Sequence, residues 1–177
     1  DTLFYIKNIY KMKFYSEIYK AFIIAGIISF VISMATSGKV SYGAQVTGFA
    51  SVAFAVMLIL ILLFNNITKD NSKSATSLLS TIVMTSGPFI LLLAISAFVM
   101  YVMIDNRSNI VNDHVAPKYK TFRNITELLI ILQMVLVMAS LNSDSFKNSG
   151  QLSGITSAIM CLFSVFTLAS SLILYVV

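Results

Sequence analysis

Residues 43–64 run for 22 positions without a single charge. As a helix rising about 1.5 Å per residue, that stretch is about 33 Å long, which matches the roughly 30 Å hydrocarbon layer of a bilayer. Lipid offers no hydrogen-bond partners, so a chain that crosses it must satisfy its backbone internally, as a helix or a closed barrel. Two further stretches are as strong: residues 76–104 give 29 uncharged positions and residues 152–177 give 26. Residues 125–141 give 17 positions and carry Glu127 and Gln133, so they span only if their polar ends reach the interfaces. Residues 21–35, extended by Tyr19 and Thr36, give 15 positions and stand at the lower limit of spanning length.

Composition agrees with this pattern. Of 177 residues 58 % are hydrophobic, and only 12 basic and 7 acidic side chains are present, whereas a soluble domain is about a quarter charged. The expected fold is all-α: a polytopic integral membrane helical bundle of four to five transmembrane helices with an N-terminal interfacial segment. We divide it into an aromatic and lysine-rich arm over 1–20 and a transmembrane domain over 21–177. Within the latter, 21–36 is a span or a re-entrant segment, followed by 43–64, 76–104, 125–141 and 152–177, with a basic loop at 105–124. The other connections are short, which predicts that sequential helices are antiparallel neighbours.

Lysine and arginine favour the cytoplasmic side, and their distribution bears on the span count. Five spans put seven basic residues on one side and five on the other, whereas four spans put nine against three. The charge rule favours four. The continuity of 21–35 as plain helix favours five, because a re-entrant backbone needs protein around it. The opening resembles a leader in part, with Lys7, Lys11, Lys13 and Lys20 before an apolar run and Ala35, Thr36 and Ser37 after it. Its aromatic richness before Lys20 points to a retained anchor instead.

The arm interleaves Tyr10, Tyr15 and Tyr19 with the four lysines. An apolar face with lysines beside it suits a membrane interface, where the ammonium groups meet anionic headgroups. Thr85-Ser86-Gly87-Pro88 stands near the middle of the 76–104 stretch. Proline removes a backbone donor and clashes with the preceding turn, so a kink is expected at Gly87 and Pro88, with the two hydroxyls compensating. Glu127 stands four residues after Arg123, the spacing of an ion pair along one helix face. Gln133, deeper in the same segment, suits a hydrogen bond between helices. Ala44, Gly48, Ser51 and Ala55 form a smooth side on 43–64, and Ser29 with Ser33, and Gly154 with Ala158, suggest similar surfaces elsewhere. Small residues let helix backbones approach closely in lipid.

Several chemistries lack material. One histidine (His114) beside Asp113, and one cysteine (Cys161), do not make a metal set from this chain alone. No catalytic residue, metal ligand or cofactor is assigned, and no enzyme activity is expected. His114 beside Asp113 as an interfacial acid or base is the weakest of three functional readings. The basic residues sit beside apolar segments and form no stripe, so no nucleic acid partner is expected. The glycosylation patterns at Asn66, Asn106 and Asn124 fall on opposite sides of the membrane in either topology and are read as chance.

The expected partners are the lipid bilayer and other membrane subunits, in a homo- or hetero-oligomeric assembly. The first reading is a structural or accessory subunit that anchors or packs within a larger membrane-associated assembly. The richness in Ile, Asn, Ser and Lys suits an AT-rich genome, hence an organelle or a virus particle with an internal membrane. The second reading is a small oligomeric channel or transporter that uses the kinked 76–104 helix.

Overall fold

The computed structural model describes residues 2–68, 74–107, 111, 117–149 and 152–176. Side chains are described for Phe14 and from Glu17 onward, apart from positions 66, 68, 117, 118 and 149. Asp113 and His114 lie outside the described residues, as do the side chains of Lys7, Tyr10, Lys11, Lys13 and Tyr15.

Among the described residues there are six helices: α1 Thr2–Ala35, α2 Gly38–Thr68, α3 Ala75–Asp105, α4 Pro117–Leu141, the short α5 Asp144–Ser149, and α6 Gly154–Val176. Five are long and apolar enough to cross a membrane, over Glu17–Ala35, Gly38–Asn65, Ala75–Asp105, Tyr119–Leu141 and Gly154–Val176. The protein is a polytopic membrane helical bundle. Residues 21–35 form the second half of one unbroken helix, with only two residues between α1 and α2, so they do not form a dip of irregular backbone. The arm and the first span are likewise a single helix, with no break near position 20.

The local signals explain where these helices stop and start. α1 gives way to α2 at Gly38, whose φ of 60° lies in the left-handed region that a Cβ disfavours. Ser74 caps α3, accepting from the Ser77 amide at 3.4 Å. Asn106 closes the other end of α3, its backbone amide and side-chain amide both donating to the Val102 carbonyl, at 3.1 and 2.9 Å. α3 runs through Gly87 and Pro88 without interruption. Pro88 has no N–H for the carbonyl of Met84 one turn earlier. Ser86 Oγ donates to the Ile82 carbonyl in the turn just before.

The long helices close into a ring: α1 packs on α2, α2 on α3, α3 on α6, α6 on α4, and α4 back on α1. Contacts between α1 and α2 run antiparallel, with Phe22 on Phe54, Gly26 against Ser51 and Val52, and Phe30 over Gly48. Helices joined by a short connection are neighbours, as expected, and the long 105–124 connection joins two that are not. α6, not α3, lies beside α4, because the 105–124 connection is long enough to let α6 intervene. Phe30, Phe49, Phe89, Ile59, Leu92, Ile130, Met134 and Met160 fill the interior, while Ile28, Phe54, Ile61, Met84, Leu128, Val135 and Phe166 point outward. Apolar side chains on the outside of every long helix suit a surface that meets lipid rather than water.

The candidate functional site: a polar seam inside the bundle

α4 turns Tyr119, Arg123, Thr126, Glu127, Ile130, Gln133, Met134, Val137 and Leu141 to the interior. The spacing of three and four residues is that of one helix face. Polar groups occupy the half toward the 36–37 turn and apolar groups the other half.

The first node joins α4 to α1 and α2. Ser33 lies in the last turn of α1, whose carbonyls have no partner within the helix. Its carbonyl accepts from Ser41 Oγ at 3.0 Å and from Arg123 Nη2 at 3.4 Å. A cation at a helix C-terminus also meets the negative end of the helix dipole. Arg123 Nη1 donates to Ser41 Oγ at 3.1 Å, and its Nε and Nη2 donate to Asn124 Oδ1 at 3.2 and 3.0 Å. A guanidinium only donates, so the Gln45 amide turns its oxygen to it and accepts from Nε at 3.2 Å and Nη1 at 3.0 Å. Glu127 Oε1 accepts from Ser33 Oγ at 2.9 Å.

The direct ion pair expected between Arg123 and Glu127 is not among the described contacts. The two charges are joined across Ser33 instead. The physical reason is that the Ser33 carbonyl of α1, Ser41 and Gln45 of α2 and the neighbouring Asn124 take up the guanidinium donors. Both side chains are sealed from the surface, Arg123 at 3 % exposure and Glu127 at 0 %.

The second node joins α4 to α6. Thr126 Oγ1 and Ser170 Oγ share a hydrogen bond of 2.8 Å, and Gln133 Nε2 donates to Ser164 Oγ at 2.9 Å and to the Met160 carbonyl at 3.3 Å. Gln133 therefore stands where its sequence position suggests, bonded between two helices. Rising positions on α4 meet falling positions on α6, so this pair is antiparallel.

The small residues divide. Gly48, Ser51 and Ala55 are buried and Ala44 is half-buried. A Cβ on Gly48 would come within 2.6 Å of the Phe30 ring, and one on Gly26 within 3.4 Å of the Gly48 carbonyl. Ser33 works as a hydrogen-bonding group rather than a smooth surface. Gly154 and Ala158 are exposed. With Val83, Met84, Gly87, Pro88 and the half-buried Cys161, they line an outward groove of about 510 Å³ between α3 and α6. A Cβ on Gly87 or Gly154 would meet nothing within 4 Å.

Of the interfacial set, Tyr19 is buried in the apolar core and Lys20 pairs with Glu17 at 3.6 Å on the surface. At the opposite end, the Arg107 guanidinium stands 5.7 Å from the centre of the Tyr42 ring, the geometry of a cation–π contact. Among the described residues no three His, Cys, Asp or Glu side chains come together. Sequence reasoning passed over Ser41 and Gln45. Gln45 carried the signal that singled out Gln133, a lone amide inside an apolar run. No family model, curated protein sequence or solved structure matches the chain.

Proposed function

We propose that this protein is a structural or accessory membrane subunit, without catalytic activity of its own, that packs within a larger membrane-associated assembly. The observation that carries the reading is the α3–α6 groove. Gly26 and Gly48 serve close packing within the chain, while Gly87, Gly154 and Ala158 leave backbone bare on the outside. In lipid, helices associate through such close approach and the interhelical hydrogen bonds that accompany it. A neighbour's helix in this groove would use what the chain itself leaves unused. The AT-rich character of the composition directs the reading to an organellar complex or the membrane of a virus particle.

Mild extraction from the native membrane, followed by measurement of particle mass and composition, tests it. A large particle of fixed stoichiometry, inactive in flux assays after reconstitution, is the expected result. A free small homo-oligomer contradicts it. One observation favours the transport alternative: Thr85 and Ser86, beside Pro88, are buried toward the interior of the ring rather than turned to lipid. Substrate-dependent flux lost on replacing Thr85, Ser86 or Gln133 would establish that alternative in place of the first.

A further inference from the structure

Three buried polar atoms of α4 have no hydrogen-bond partner among the described residues: Tyr119 Oη, Glu127 Oε2 and Gln133 Oε1. They lie eight and six residues apart, about 12 and 9 Å along the helix axis. All three belong to the inward face of α4, and Glu127 and Gln133 are at 0 % exposure. Two of them are the second half of a group whose first half is already fixed. Glu127 uses Oε1 on Ser33, and Gln133 uses Nε2 on Ser164 and Met160. The bare halves of Glu127 and Gln133 are acceptors that need donors, and lipid supplies none.

We infer that water is bound inside the ring along α4, from the 36–37 end as far as Gln133, and that the interior beyond Gln133 is dry. A buried water needs two to four polar partners. The seam supplies them in hydroxyls already held in place, those of Ser33, Thr126, Ser164 and Ser170, each keeping a lone pair beyond its present bond. A metal cation is the poorer occupant, because the Arg123 guanidinium stands in the same node. Past Gln133 the inward side chains of α4 are Met134, Val137 and Leu141. These offer a water nothing to bond. The hydrated seam is therefore an enclosed set of water sites that ends at Gln133, not a continuous path across the membrane.

X-ray radiolytic footprinting of the wild-type protein in lipid nanodiscs tests this, because bound water is the source of the hydroxyl radicals that oxidise nearby side chains. Met134 and Met160 are sealed inside beside Gln133, whereas Met57 and Met84 are half or more exposed on the lipid side. The expected result is oxidation of Met134 and Met160 well above that of Met57 and Met84. Oxidation at or below the level of the lipid-facing pair overturns the inference. In Gln133→Leu, oxidation of Met134 and Met160 should fall to the lipid-facing level while Tyr119 continues to label. Undiminished labelling of the two methionines in that variant would overturn the placement of water at Gln133.

Discussion

Two glycines separate packing from conformation at the scale of single residues. Gly48 lies under the fully buried ring of Phe30, which in turn meets Phe49 edge-on at 4.8 Å between centroids. In Gly48→Ala the new methyl group collides with that ring, and overpacking of this kind costs about 1–3 kcal/mol. Gly87 has open space where a Cβ would go, so Gly87→Ala should be neutral or stabilise α3 by up to about 1 kcal/mol. Equilibrium unfolding of both variants in mixed micelles checks the pair, and similar effects at the two positions would contradict the packing described. The sequence marked both glycines, but for different reasons: Gly48 by its small neighbours at helical spacing, Gly87 by the adjacent proline. It did not mark Ser41 and Gln45 as partners of Arg123, because Ser41 and Arg123 are 82 positions apart and meet only once the ring has closed.

At the scale of elements, α4 is held by polar contacts on both flanks, toward α1 and α2 through Arg123 and Glu127, and toward α6 through Thr126 and Gln133. Removing one partner of a buried charge pair strands the other, at a cost of about 3–5 kcal/mol. Arg123→Met should destabilise the bundle on that scale, and adding Glu127→Leu should recover much of the loss, because no unpaired carboxylate is then left inside. A double-mutant cycle measures the coupling, and simple additivity would show that the two charges do not sense each other across Ser33. Gln133→Leu breaks an interhelical hydrogen bond in lipid, where such bonds are worth about 0.6–2 kcal/mol. Its cost, read by the same unfolding measurement, should therefore be smaller than that of Arg123→Met. The apolar stretches 43–64, 76–104 and 152–177 were legible as spans from length and charge alone, whereas 21–35 stood at the lower limit of spanning length and the charge count weighed against it. The partner of each helix was not legible, since an apolar surface turned to lipid and one turned to a neighbour have the same composition, as the contrast between Gly48 and Gly154 shows.

For the whole molecule, if all five long helices cross, Phe14 and Lys39 lie on opposite sides of the membrane, whereas a four-span arrangement would place them together. Single-cysteine accessibility in sealed vesicles should therefore label positions 14 and 39 from opposite faces. The charge count pointed the other way because it weighs loops singly, while the structure commits residues 21–35 to an unbroken helix that packs along α2. The same closure leaves the α3–α6 groove outside, where Gly154 and Ala158 meet whatever surrounds the protein. That groove carries the central claim, that the chain packs against another membrane subunit, and photocrosslinking in the native membrane tests it most directly. A photoreactive residue at Ala158 should give discrete protein adducts, while the same group at Leu128, on the outward face of α4, should give lipid adducts. Lipid adducts alone at both positions would contradict the claim.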